Sequence, residues 1–203
     1  MSNNWEMVIG LEVHAQLKTT SKLFSSSPNL FGSEPNENVN FIDSGMPGML
    51  PVLNWACIEK AIKTGFALNF TINKHSVFER KNYFYPDLPQ GYQISQFEFP
   101  ILSEGYLDID QSDGSTKKIR IERAHLEQDA GKSIHDIDPK FSFIDLNRVG
   151  TPLLEIVSYP DLSSAEDVVN YMSSLRQTLM YIDVCDGNMQ EGSLRADVNL
   201  SVR

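Results

Sequence analysis

Carboxylates and imidazoles recur at alternate positions in three well-separated stretches of this chain. They are Glu12 with His14, the run His125-Leu126-Glu127-Gln128-Asp129, and Asp197 between Arg195 and Asn199. Alternate residues of a β-strand point the same way, about 6.6 Å apart, so Glu12 and His14 could reach one ion seated between and above them. Glu155 is a different case, because it interrupts the apolar run Leu153-Leu154-Glu155-Ile156-Val157. A carboxylate inside such a strand is costly unless it is paired, hydrogen-bonded or bound to a cation. Carboxylates with at most one imidazole suit a hard cation such as Mg²⁺ or Mn²⁺, not the Cys/His tetrahedron of structural zinc. Spacing alone favours solvated strand faces and a salt-bridged Glu155. The metal reading requires the three faces to converge.

Other groups offer weaker signals. Arg80-Lys81-Asn82-Tyr83-Phe84-Tyr85 joins two cations to three aromatics. Such a set can pair a phosphate and stack a base, or simply pack. Asp129-Ala130-Gly131-Lys132-Ser133 ends like a phosphate-binding loop, but G-x-x-x-x-G-K-[ST] needs glycine where Leu126 stands. Lys132 is left as an isolated point charge for a phosphate or for solvent. There is no G-x-S-x-G elbow, and Cys57 and Cys185 have neither C-x-x-C spacing nor a neighbouring His. Nothing therefore marks an acyl-transfer nucleophile, and the cysteines read as small core residues.

The elements that must position these groups follow from periodicity. Residues 7–18 alternate, with Met7, Ile9, Leu11, Val13, Ala15 and Leu17 on one parity, and residues 194–202 alternate likewise. Both are half-buried strands. Residues 25–40 and the Pro-Gly-Met-Leu-Pro segment at 47–51 form a loop long enough to suggest a role. A helix runs from an Asn54 N-cap to about Leu68, with Gly65 costing it stability. Pro86, Pro89 and Pro100 break any long element over residues 79–100. Residues 106–110 and 116–123 flank an Asp113-Gly114 hairpin turn. A loop over 131–140 precedes short strands at 141–146 and 153–158. The second helix opens on a Ser163/Glu166 capping box and presents Val168, Met172, Leu175, Leu179 and Ile182 to a sheet. Strands outnumber helices and are often adjacent, which predicts an α+β fold with a largely antiparallel or mixed sheet and packed helices.

With 203 residues, 41% of them hydrophobic, the chain can bury an ordinary core and shows no internal repeat or linker. A net charge of −10 argues against nonspecific coating of nucleic acid or of an anionic membrane, so any nucleic-acid contact is local. No apolar run approaches about 18 residues, and Met1–Gly10 has no signal-peptide character; a cytoplasmic protein without membrane association is expected. An amphipathic strand with no turn or polar tail after Arg203 suggests a piece of something longer.

Five ordered blocks carry a family resemblance. They are Val8–Ser25 (VIGLEVHAQLKTTSKLFS), Glu79–Gln96 (ERKNYFYPDLPQGYQISQ), His125–Ser133 (HLEQDAGKS), Asp145–Ser158 (DLNRVGTPLLEIVS) and Gly187–Arg203 (GNMQEGSLRADVNLSVR). Together they resemble the GatB family, the B component of the aspartyl/glutamyl-tRNA amidotransferases, over nearly the whole chain. The resemblance implies that residues 1–203 are the N-terminal part of a kinase-like catalytic domain similar to those of glutamine synthetase and the guanidino kinases. The rest of that domain and the tRNA-binding helical and tail domains are then missing. It implies a reaction in which ATP phosphorylates the side-chain carboxylate of Glu mischarged on tRNA(Gln), or of Asp on tRNA(Asn), and ammonia then displaces phosphate. It also implies a heterotrimer with an amidase (GatA), the ammonia source, and a small third component (GatC).

Carried over block by block, Glu12, His14, Glu127, Glu155 and Asp197 fall on metal positions, with Mg²⁺ or Mn²⁺ as cofactor and Glu12, Glu127 and Glu155 in the catalytic set. Lys132 and Arg195 become candidates for ATP phosphate contacts, and Tyr83, Tyr85, Gln93 and Ser95 for the acceptor-end pocket. The chain departs from the family's pattern at Gln128, Gln190 and Ala196, where Glu, Glu and Cys are usual. Two further readings stand beside this one: a non-catalytic scaffold that presents the tRNA acceptor end, and a metal-dependent hydrolase.

Overall fold

The computed structural model describes residues 5–203. Alternation in the first stretch becomes strand β1 (Met7–Gln16), with Ile9, Leu11, Val13 and Ala15 buried on one face and Glu12 and His14 half-buried on the other. Helix α1 (Trp55–Ala67) follows the long loop, and the Asn54 side chain accepts the Ala56 N–H at 3.0 Å as its N-cap. Gly65 has a packing purpose: a Cβ there would lie 2.7 Å from Leu102 Cδ2 and 2.9 Å from Ile72 Cγ1. The missing side chain lets α1 lie close against the sheet.

Strands β2 (Thr71–Ile72), β3 (Glu79–Asn82), β4 (Tyr92–Ser95), β5 (Leu102–Asp110) and β6 (Thr116–Gln128) come next. The β5–β6 turn is the expected one, with Gly114 at φ 81° and the Ser115 N–H donating to Asp113 Oδ1 at 2.8 Å. The expected loop over 131–140 is instead strand β7 (Lys132–Asp138), paired antiparallel with β8 (Phe141–Asp145). Both strands are largely exposed, so neither shows the one-sided burial from which a strand is read in sequence. Strand β9 (Pro152–Ser158) is buried on both faces apart from Glu155.

Helix α2 (Ala165–Tyr181) begins one residue later than expected. Ser164 is its N-cap, accepting the Asp167 N–H at 3.0 Å, while the Asp167 carboxylate accepts the Ser163 N–H at 2.9 Å. Asp167 takes the place expected of Glu166 because it is the one turned inward, where it also pairs with Lys117 Nζ at 2.7 Å. Strand β10 (Leu194–Val202) closes the chain. Its apolar parity is only partly used, since Leu194 is buried but Val198, Leu200 and Val202 are exposed.

The main sheet among the described residues has six strands in the order β10-β1-β9-β6-β5-β2, antiparallel throughout. Both helices pack on one face, burying a core that includes Leu11, Val13, Ile119, Ile121, Leu154, Ile156, Tyr171 and Leu175. Cys57 and Cys185 sit in that layer, where burial pushes their thiols up to about 12 and about 11. The β3–β4 hairpin covers part of the opposite face. Strand β6 runs past the end of β5, and the β4 segment takes up its free edge: Gln96 Oε1 accepts the Leu126 N–H at 3.1 Å and Gln93 Nε2 donates to Gln128 O at 2.9 Å.

One irregularity decides which residues face the hairpin. Between Ile121 and Arg123 the β6–β9 register slips by one residue, as a β-bulge does. Before it Ile119 and Ile121 point into the helix-side core; after it Ala124 and Leu126 do. The bulge at Glu122 thereby turns Arg123, His125 and Glu127 to the opposite face. No helix among the described residues is long and apolar enough to cross a membrane.

Candidate active site

On the hairpin-side face, three rows of residues run across neighbouring strands. The central row is Arg195, His14, Glu155 and His125, from β10, β1, β9 and β6. One step along lies Asp197, Glu12, Val157 and Arg123, and on the other side Gln16, Leu153 and Glu127. Directly opposed residues approach closely enough for side chains to touch. His14 Nε2 stands 3.4 Å from Glu155 Oε2 and 3.5 Å from Glu127 Oε1, while His125 Nε2 is 3.3 Å from Glu155 Oε2. The Ser95 hydroxyl of β4 donates to Glu127 Oε2 at 3.3 Å.

The electrostatics follow from that packing. Burial opposes charging His14, but Glu127 and Glu155 outweigh it and raise the imidazole to about 9. His125 is raised for the same reason. Burial likewise opposes ionising Glu155 and Glu127, yet the two imidazoles hold both carboxyls below the usual carboxylate range. Asp129, two residues on, has burial as its largest influence and is raised in spite of Arg148 nearby.

One ligand atom each from His14, Glu127 and Glu155 lies within 4.8 Å of the others. One imidazole and two carboxylates, with His14 Nδ1 buried and without a hydrogen-bond partner, fit a hard divalent cation. Glu12 and Asp197 are adjacent to this group. Glu12 Oε1 accepts from Asn199 Nδ2 at 3.0 Å, and Asp197 Oδ2 is 3.6 Å from His14 Nδ1 and 3.7 Å from Arg195 Nε.

Two cavities flank the acidic group and share Glu12, Lys81, Glu127 and Glu155. The first, about 430 Å³, adds Arg80, Ser95, Gln96, Phe97, Arg123 and His125. The second, about 330 Å³, adds His14, Tyr83, Asp87, Gln93, Asp129, Arg148 and Arg195. Of the residues singled out in the sequence, Glu12, His14, Glu127, Glu155, Arg195, Tyr83, Gln93 and Ser95 thus line one connected cleft, with Asp197 beside it. Lys132 and Tyr85 line neither cavity. Lys132 faces a groove made by its own strand, residues 132–137, and Tyr85 is exposed. Arg123, Gln96, Asp87 and Arg148 line the cleft but lie outside the set drawn from the sequence, and His125 joins the acidic group through Glu155. His125 shares the parity of Glu127, and the three-residue step from Ile121 to Ala124, where two is the rule, marks the bulge that presents Arg123.

The chain is thus an α+β domain whose antiparallel sheet carries an imidazole–carboxylate group between two polar cavities, a donor set that could hold a metal ion. The family model described as the GatB/GatE catalytic domain matches residues 7–203, and the chain belongs to that family. It is 61% identical over 199 residues to the B component of the aspartyl/glutamyl-tRNA(Asn/Gln) amidotransferase of Dinoroseobacter shibae, covering 98% of this chain and 39% of that protein. The protein of the same description from Jannaschia sp. is 60% identical over 199 residues, covering 98% of this chain and 40% of that one. That from Paramagnetospirillum magneticum is 60% identical over 202 residues, covering 100% of this chain and 42% of that one. The chain therefore spans about two fifths of the length of the curated relatives it matches.

Proposed function

We propose that this chain houses the phosphorylating and amidating centre of a tRNA-dependent amidotransferase. In this reading a side-chain carboxylate oxygen of Glu on tRNA(Gln), or of Asp on tRNA(Asn), attacks the γ-phosphorus of ATP, and ADP leaves. Ammonia from a partner amidase (GatA), assembled with a small third component (GatC), then attacks the acyl carbon; phosphate leaves and a nitrogen proton is lost. A carboxylate is a poor electrophile, so its oxygen must first become a phosphate leaving group. Bringing two anions together calls for positive charge and positioning rather than a covalent enzyme intermediate.

The observation that carries the reading is the convergence of His14, Glu127 and Glu155 between two cavities, one available to each anionic substrate. Those three residues would hold a Mg²⁺ or Mn²⁺ ion, with Glu12 and Asp197 in the adjoining row. A divalent ion supplies charge neutralisation for the transferring phosphoryl group. Arg195 stands beside His14 and Asp197, where it can steady that group; Tyr83 and Gln93 line the smaller cavity, available to the acceptor end, and Ser95 holds Glu127 from the larger one. The test uses the full-length protein with its partners. Glu127→Ala and Glu12→Ala should abolish ATP-dependent amidation of mischarged tRNA while glutaminase turnover continues. Normal amidation by both variants would defeat the assignment.

A further inference from the structure

Arg123 is brought to the cleft by a bulge, a local departure from regular pairing whose effect is to reverse the face of every residue after it. Its guanidinium is only partly committed. Nη1 donates to Glu122 Oε1 at 2.8 Å, the guanidinium carbon lies 5.4 Å from the Phe97 ring centre, and Nε is buried with no partner. Gln96, on the same cavity wall, is 1% exposed. Its Oε1 is fixed by the Leu126 N–H, yet its Nε2 has no hydrogen-bond partner. Buried donors without partners are uncommon and point to an acceptor supplied from outside the chain. Arg80 lines the same cavity together with Glu79, and Lys81 stands on the wall that both cavities share.

The second cavity is equipped differently. Its Arg148 is already spent on backbone, with Nε donating to Ala130 O at 2.8 Å and Nη2 to Gly131 O at 2.7 Å. Its walls carry Asp87 and Asp129, which repel a polyphosphate, and its other arginine, Arg195, stands 3.7 Å from Asp197 Oδ2. It is the smaller of the two as well.

We infer that Arg123 is a phosphate-contacting residue of a nucleoside triphosphate subsite in the larger cavity, with Lys81 and Gln96 as the accompanying donors. The smaller cavity is left to the aminoacyl group, and the acidic group stands between them. The inference rests on the function proposed above. It moves the ATP contacts from Lys132, which lines neither cavity, to residues on β3, on β6 and just past the end of β4.

The test measures KM for ATP and KM for mischarged tRNA in the full-length protein assembled with its partners. Arg123→Gln should raise KM for ATP tenfold or more and leave KM for the tRNA within twofold. Arg123→Lys, which keeps the charge and loses the fork, should recover part of the loss. Thermal unfolding of each variant, taken alongside, separates this from a structural role, which would lower the melting temperature without a selective effect on ATP. A KM for ATP within twofold of wild type in Arg123→Gln, or an equal rise for both substrates, overturns the inference while amidation by the wild type still stands. Wild-type amidation that proceeds without ATP defeats the proposed function itself, and the inference with it.

Discussion

His14 and Glu155 lie opposite each other on adjacent antiparallel strands, with His14 Nε2 3.4 Å from Glu155 Oε2. The same carboxylate oxygen is 3.3 Å from His125 Nε2 on the strand beyond, so an imidazole flanks it from each side. That arrangement explains how an apolar central strand tolerates a carboxylate: its neighbours carry the compensating charge. It also predisposes the group to exchange those protons for a cation.

Replacing Glu155 by Gln removes the charge both imidazoles share. The His14 and His125 pKa values should fall, as followed by NMR titration of the ring protons. Mn²⁺ affinity, read by calorimetry, should drop at least about tenfold. Unchanged Mn²⁺ binding would exclude Glu155 from the ligand set.

Metal binding should depend on pH with a definite sign. His14, at about 9, must shed its proton to act as a ligand, so Mn²⁺ affinity should climb as pH rises toward that value and binding should release protons to buffer. Without metal, stability moves the other way. The His14 value is raised in the folded chain, so its contribution is complete below the unfolded value near 6.5 and is lost as pH rises through about 9. Calorimetry in buffers of different ionisation enthalpy and urea titrations at several pH values check the two signs.

Lys22 is fully buried, donating to Asn38 O at 2.6 Å and to Asp43 Oδ2 at 3.2 Å, and Asp43 also accepts the Ser25 and Ser27 hydroxyls. Lys22→Met leaves that carboxylate buried without its counter-ion and should cost about 3–5 kcal/mol by urea denaturation. A Cβ on Gly150 would lie 3.1 Å from Asp43 Oδ1, so the turn leading into β9 should loosen as well, with faster amide exchange over residues 147–151.

Gly65→Ala sets helix propensity against packing. The substitution favours the helix by about 1 kcal/mol, but the added methyl meets Leu102 and Ile72 at 2.7 and 2.9 Å, and overpacking typically costs about 1–3 kcal/mol. A net loss of stability is expected, and a more stable variant would show that the α1–sheet contact can adjust.

Much of the cleft was legible in the residues themselves. Alternation in β1 and β10 put Glu12, His14, Arg195 and Asp197 on polar faces, and Glu155 announced itself as the misfit of an apolar strand. The likeness to a known family then joined these places into one site. Other features escaped. β7 hid because both its faces are largely exposed, and α2 starts at Ala165 because Asp167, not Glu166, turns toward Lys117 and the Ser163 N–H. Lys132 looked like a phosphate contact by its company in Gly131-Lys132-Ser133, but the chain leaves the cleft at Gly131 to enter the exposed hairpin.

What the sequence determined by itself is which face of each segment is polar, because side-chain alternation and burial are local properties of a strand. Which polar faces meet is set by the assembled sheet. His14 opposes Glu155 although most of the chain separates them, and His125 reaches the same carboxylate only because β9 lies between β1 and β6. That order and register follow from packing the helices on one side of the sheet and from a single bulge in β6, both of them outcomes of contacts summed over the whole domain. No spacing within one segment carries that information.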